Sequence, residues 1–188
     1  DRETLKNNNT CEESDDEKNS IPFVMHGKAL RDCEYKIVDD AGKSLPEKIN
    51  GNIKIRGANV TKEIYRDKNT TNEIIDSDGW LSTGDCGAVI DNNLIITGRK
   101  KEIIIINGQN YYPNDIENII VQGGNFDLGK IVACGAINKN TQNDQLLVFV
   151  LYKSDLMVFK SIAEEIRRIV IQQLNLEIDH VIPIKKIP

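Results

Sequence analysis

Residues 79–117 read GWLSTGDCGAVIDNNLIITGRKKEIIIINGQNYYPNDIE, and this stretch decides the fold. Trp80-Leu81 and Ala88-Val89-Ile90 are strand-like pieces, and Asn92-Asn93 marks a turn before a further strand at 94–97. A continuous apolar run covers 103–106, and Asn107-Gly108 then suits the positive φ of a tight hairpin turn. Pro113 fits the first position of a helix, where its missing N–H costs no intrahelical bond. Asp115 and Glu117 favour the positive end of that helix. Ile116, Ile119 and Ile120 share one face at helical spacing, and Gly123-Gly124 is expected to end the element. The style of the chain thus changes near Lys101, from short strands and turns to alternating strands and helices.

On the N-terminal side the β-like character continues. Glu34-Tyr-Lys-Ile-Val38 alternates and runs into Asp39-Asp40-Ala41-Gly42-Lys43, a turn through Asx bonding and glycine freedom. Asn52-Ile-Lys-Ile-Arg56 alternates cleanly, with Ile53 and Ile55 on one side and Lys54 and Arg56 on the other. Residues 62–75 are polar and mixed, with room for one helical turn, and Asp76-Ser-Asp-Gly79 is a turn signal. On the C-terminal side two strands are expected at 131–137 and 146–152, a helix at 158–174 and a last strand at 181–184. In the helix Ile162, Ile166, Ile169 and Val170 form the apolar stripe, while Glu164, Glu165, Arg167 and Arg168 face water.

The whole chain has 188 residues, 24 Lys+Arg against 29 Asp+Glu and a formal charge of −5. An apolar share of 39% permits a packed core. Mild acidity argues against binding nucleic acid by phosphate neutralisation. Residues 1–20 hold seven acidic and three basic side chains and almost nothing apolar, so they read as a flexible, solvated segment. Nothing approaches the roughly 18 consecutive apolar residues of a membrane span. Cys11, Cys33, Cys86 and Cys134 stand far apart with no C-x-x-C pair, which argues against zinc and fits reduced thiols in the cytoplasm. His26 and His180 have no partner at metal spacing. Ala41-Gly42-Lys43-Ser44 lacks the earlier glycine of a P-loop, because that position is Ile37.

Two motifs stand in order. G-W-L-x-T-G-D covers Gly79 to Asp85, and G-R-x-K-[DE] covers Gly98 to Glu102, followed by I-I-I-x-x-G. On these residues the chain resembles the adenylate-forming superfamily of acyl-CoA synthetases, luciferases, peptide-synthetase adenylation domains and fatty-acyl-AMP ligases. N-G-Q-N-Y-Y-P-N-D-I-E at 107–117 looks most like the G-x-N-x-Y-P-x-D-I-E of fatty-acyl-AMP ligases. The resemblance implies an α+β fold in three parts: a flexible acidic segment at 1–20, a β-rich subdomain at 21–100 that ends a large N-terminal domain, and a mobile C-terminal domain at 101–188.

It also implies roles. Asp85, with Thr83 beside it, would hold the nucleotide; a carboxylate offers two acceptors to the two hydroxyls of a ribose diol. The competing reading of Asp85 is an Asx-turn aspartate. Arg99, with its fixed fork of donors, would reach the ribose and phosphate region, or else pair with a neighbour such as Glu102. Lys101 falls at the family's hinge. Gly108, Tyr111 and Tyr112 would line the thiol tunnel, against the equally open reading of the two tyrosines as packing; Trp80 reads as packing. ATP and Mg²⁺ are the implied cofactors. The implied substrate is a fatty acid, and the implied partner is an acyl carrier protein or a polyketide or peptide synthase.

The family's phosphate-binding loop and its aromatic-Gly-x-x-Glu motif would lie before residue 1. Its catalytic lysine, in P-x-T-x-x-G-K, would lie beyond Pro188, so no catalytic residue is assigned within the chain. The implied whole activity is formation of acyl-AMP and transfer to a carrier-protein thiol, and these 188 residues alone are expected not to adenylate. The alternatives are an acyl-CoA synthetase, or a non-catalytic module of the same fold.

Overall fold

A computed structural model describes residues 1–124, 126–127, 129–138 and 144–186. Ile187 and Pro188, where the downstream motif would open, lie outside the described residues. The chain divides into two compact units, Asp1–Lys101 and Glu102–Pro188. Together they are a mixed α+β arrangement.

The first unit is built on a five-stranded antiparallel sheet in the order β1-β5-β4-β3-β2. Its strands are β1 (Met25–Gly27), β2 (Cys33–Val38), β3 (Gly51–Gly57), β4 (Leu81–Ile90) and β5 (Asn93–Arg99). Asp91 and Asn92, both at positive φ, form the two-residue turn between β4 and β5. Asp39 shapes the turn after β2 by accepting from the N–H groups of Ala41 and Lys43. Ile37, Val38, Ile53, Ala88, Ile90 and Ile95 are buried in the sheet, with the neighbours Ile37 and Val38 on opposite faces.

Three local expectations change. Leu81 and the piece 88–90 belong to one strand, β4, with Trp80 just before it: of the polar residues between, Ser82 pairs with Lys54 of β3 and Asp85 with Arg99 of β5, and the strand runs on through them. The polar stretch 62–75 contains α2 (Lys68–Ile74), capped by the Asp67 side chain. The acidic segment is not a solvated linker: it opens with α1 (Arg2–Asn8), whose N-cap Asp1 accepts from Thr4 N–H. Leu5 and Cys11 are buried, and Arg2 donates to the carbonyls of Lys18 and Ser20. Backbone bonds from Cys11 to Lys48 and from Asn50 to Asn9 tie it to the sheet. Composition missed this because two apolar anchors and main-chain bonds suffice to hold a mostly polar segment.

The second unit opens with a hairpin of β6 (Ile104–Ile106) and β7 (Gln109–Tyr111), with Asn107 and Gly108 at positive φ in the turn. Then follow α3 (Pro113–Gly123), β8 (Ile131–Ile137), β9 (Asp144–Leu151), α4 (Leu156–Leu174) and β10 (His180–Ile184). The sheet order is β10-β9-β8, with β10 parallel to β9 after the α4 crossover. Ile116 and Ile120 of α3, Ile166 and Val170 of α4, and Leu146 and Val148 of β9 make a continuous core.

Two details differ from expectation. α3 ends at Gly123-Gly124 as expected, but its cap Gly124 is extended, so no left-handed stop is used. A Cβ at Gly123 would come within 2.7 Å of Ile169 Cγ2; the glycine serves close approach of α3 and α4. Arg167 is half-buried and donates to the carbonyls of Ile178 and Asp179, tying α4 to the turn before β10.

Candidate functional site

Strand β4 breaks regular pairing twice, and both breaks shape the region of Asp85. Against β3, Asn52 pairs with Cys86 and Lys54 with Ser82. Ile53 therefore faces three residues, Thr83, Gly84 and Asp85. Such an insertion bends the strand and re-aims a side chain. Gly84 takes φ +80° there, a conformation glycine adopts without a Cβ penalty. The Thr83 hydroxyl donates to Ile53 O at 3.1 Å and accepts from Asp85 N–H at 3.0 Å. Against β5, Cys86 pairs with Gly98 and Gly87 with Ile96, which leaves Thr97 as the extra residue. Thr97 is buried and donates to Asn50 Oδ1 at 2.8 Å.

Beyond the second bulge, Asp85 and Arg99 stand directly opposite each other. Arg99 Nε lies 3.3 Å from Asp85 Oδ1, with side-chain exposures of 64% and 26% respectively. A pair so open to water contributes little stability, yet it sets a carboxylate and a guanidinium side by side at the surface. Lys100 N–H donates to Gly84 O at 3.0 Å, and its ammonium pairs with Asp40. The Lys100 bond, then the Asn52 amide, hold the Asp40 carboxyl below its ordinary range. Burial pushes the neighbouring Cys86 thiol up, with the Lys100 charge acting in the opposite direction. Lys101, the last residue of the first unit, is exposed.

Trp80 is buried, with Lys36 Nζ 4.2 Å and Arg56 Cζ 4.5 Å from its ring centroid. Asp76 accepts from Trp80 N–H and pairs with Lys54 at 2.9 Å, which fixes the turn leading into β4. This is the packing arrangement expected of the indole.

In the second unit Gly108 is exposed at the hairpin tip with φ +76°. Tyr111 and Tyr112 are only 8% and 4% exposed, and Tyr111 belongs to the core. The Tyr111 hydroxyl donates to Gln109 Oε1 at 3.0 Å. Both rings are therefore packed here. Glu117 was read only as a helix-end charge. Its Oε1 accepts from Ala133 N–H at 2.9 Å at the free side of β8, and burial raises its carboxyl pKa. The available signal was its place next to Ile116, which opens the apolar stripe of the helix.

A cavity of about 440 Å³ lies elsewhere in the first unit, among Leu5, Cys11, Phe23, Met25, Ile90 and Ile95, and none of the proposed nucleotide residues lines it. Among the described residues no three His, Cys, Asp or Glu side chains converge. The residues present therefore do not fit a protein cage for Mg²⁺, whereas Asp85 and Arg99 fit a ribose diol and a phosphate by donor and acceptor type. No helix of the described residues is long and apolar enough to cross a membrane.

No protein-family model matches the chain. It is 40% identical over 96 residues, half of its length and 20% of the relative's, to the 2-succinylbenzoate–CoA ligase of Bacillus cytotoxicus. A solved structure from studies of fatty acyl-adenylate ligases of E. coli and L. pneumophila matches the whole chain at TM-score 0.85 and 27% identity, over 34% of that protein. The McyG adenylation–PCP structure with phenylalanyl-adenylate matches 87% of the chain at TM-score 0.80 and 30% identity, over 30% of its own length. The chain thus spans about a fifth of that curated ligase and about a third of those solved chains. With both motifs in order on β4, β5 and the hairpin that follows, the chain belongs to the adenylate-forming enzyme superfamily.

Proposed function

We propose that this chain is the C-terminal part of a fatty-acyl-AMP ligase. The whole enzyme joins a fatty carboxylate to the α-phosphorus of ATP, forming the acyl–phosphate bond as pyrophosphate leaves. A carrier-protein thiol then loses its proton and attacks the acyl carbon, forming a thioester as AMP leaves. In this reading Asp85 accepts from both ribose hydroxyls. Arg99 stands beside that carboxylate and reaches toward phosphate, and Lys101 is the pivot about which residues 101–188 turn between the two steps. Gly108, at the open tip of its hairpin, borders the thiol passage, with Tyr111 and Tyr112 as its packed base. Mg²⁺ would accompany the nucleotide phosphates, since no three ligating side chains converge among the described residues.

The observation that carries the reading is the Asp85–Arg99 pair, opposed at 3.3 Å at the surface between a bulge in β4 and a bulge in β5. Stability does not require such an exposed pair. The carrier-protein acceptor is supported by residues 107–118, which contain no Lys or Arg to meet the phosphates of coenzyme A. The 40% identity to a CoA ligase favours coenzyme A as the second reading.

The test incubates the complete polypeptide that carries this chain with ATP, Mg²⁺, mixed fatty acids and coenzyme A, followed by mass spectrometry. Acyl-AMP that persists without acyl-CoA is expected, and Asp85→Asn should lower its yield roughly 10- to 100-fold, the size expected when a charge-assisted contact is lost. Abundant acyl-CoA would replace the carrier protein by coenzyme A. Absence of both products would leave a non-catalytic adenylate-binding module.

A further inference from the structure

The family resemblance groups Thr83 with Asp85 as a nucleotide contact. Its hydroxyl is already committed twice, to the Ile53 carbonyl as donor and to the Asp85 N–H as acceptor. A hydroxyl has one proton and two lone pairs, so one acceptor position remains and no donor. Phosphate oxygens only accept, so Thr83 has no proton left for them while both bonds stand, and the ribose hydroxyls have the stronger acceptor in the neighbouring Asp85 carboxylate.

The same two bonds answer a problem set by the fold. Where three residues of β4 face Ile53 alone, regular ladder bonding cannot continue. The Ile53 carbonyl and the Asp85 amide both need partners, because unpaired main-chain groups away from water are costly. The Thr83 side chain supplies both. On the other side Gly84 O accepts from Lys100 N–H, immediately after Arg99. Asp85 is thus held from two directions, by a side chain toward β3 and by a main-chain bond toward the end of β5. An Asp85 free to relax at the bulge would lose its fixed position opposite Arg99.

We propose that Thr83 is a positioning residue: it bridges the β3–β4 bulge and aims Asp85 at the nucleotide ribose, without touching the nucleotide itself. The proposal rests on the ribose-binding reading of Asp85, and its test separates the two. In the 188-residue chain, hydrogen exchange at the Asp85 amide is compared among wild type, Thr83→Ser, which keeps the hydroxyl, and Thr83→Val, which keeps the shape. Thr83→Ala is a second variant without the hydroxyl and with less bulk. Exchange is expected to quicken roughly tenfold in the Val and Ala variants and little in Ser, as a single local bond opens. Unchanged exchange in Val and Ala would overturn the tether.

In the complete polypeptide, dissociation constants are measured for ATP and for 2′,3′-dideoxy-ATP. Wild type is expected to prefer ATP, and Asp85→Asn to erase that preference. Thr83→Val should reduce it roughly 3- to 10-fold, the scale of one hydrogen bond, and Thr83→Ser should restore it. In the Asp85→Asn background Thr83→Val should change nothing further, the non-additivity expected of residues acting in series. Equal weakening of both nucleotides by Thr83→Val, with or without Asp85, would make Thr83 a direct ligand or a general stabiliser and refute the proposal. A preference that survives Asp85→Asn would overturn the ribose reading and with it the purpose assigned to Thr83, while the exchange data would still report whether the tether exists.

Discussion

Replacing Gly87 by alanine would drive a methyl carbon into the Ile95 carbonyl oxygen and to 2.8 Å from Ile53 Cδ1. The first obstacle is backbone of the neighbouring strand, so no side-chain rotation relieves it. The strands must part or slip next to the Thr97 bulge. Overpacked core sites cost about 1–3 kcal/mol, and a main-chain collision belongs at about 3 kcal/mol. Gly84, three residues earlier, is the internal control. Its φ is +80°, but a Cβ there meets nothing within 4 Å. Gly84→Ala should cost only the left-handed backbone penalty, about 1–2 kcal/mol. Trp80 is the chain's single tryptophan and is buried in the same unit, so its emission reports unfolding of that unit. With a urea slope of about 2 kcal/mol per molar, the midpoint should fall by about 1.5 M for Gly87→Ala and by about 0.5–1 M for Gly84→Ala. A Gly87→Ala midpoint equal to wild type, or above that of Gly84→Ala, would refute the claim that glycine is needed at 87 for space and at 84 for conformation.

Other outcomes follow from the second unit. Ile166 is 0% exposed at the centre of its core, so Ile166→Ala should destabilise that unit by about 2–5 kcal/mol; calorimetry that leaves its transition in place would count against the packing described. Glu117 has its pKa raised, chiefly by burial and partly offset by the Ala133 N–H. The folded state therefore holds that proton more tightly than the unfolded chain. The resulting stability is complete below the ordinary carboxylate pKa and is lost as pH rises through the raised one. Urea midpoints taken upward from pH 4 should show this decline, and Glu117→Gln should flatten it; an equal slope in the variant would assign the effect elsewhere.

Much of the fold was legible because the residues carrying it obey local rules. Asn107-Gly108 turned where such a pair turns, Pro113 opened α3, and the Ile162–Val170 stripe marked the buried side of α4. The misreadings have a common cause. The 1–20 segment is polar by count, yet Leu5, Cys11 and main-chain bonds to 48–50 hold it. Gly123-Gly124 does end α3, but Gly123 also makes room for Ile169, a role its place in the sequence did not show. Arg167 looked solvated, yet it finds two carbonyls eleven and twelve residues away. In each case the partner is distant in sequence, and periodicity has no access to it.

The candidate site divides the same way. Asp85 and Arg99 are recognisable as members of two ordered motifs before any folding is considered, because carboxylate, guanidinium and glycine at those spacings are local chemical statements. That the two residues face each other emerges in the folded sheet, since it depends on where β4 and β5 slip register. Each slip depends on space and hydrogen bonds across strands: Gly87 against Ile95, Thr97 against Asn50, and Thr83 between Ile53 and Asp85. Inserted residues shift the register beyond them, and what fixes the shift is contact across strands: 8 positions separate Gly87 from Ile95, 30 separate Thr83 from Ile53, and 47 separate Thr97 from Asn50.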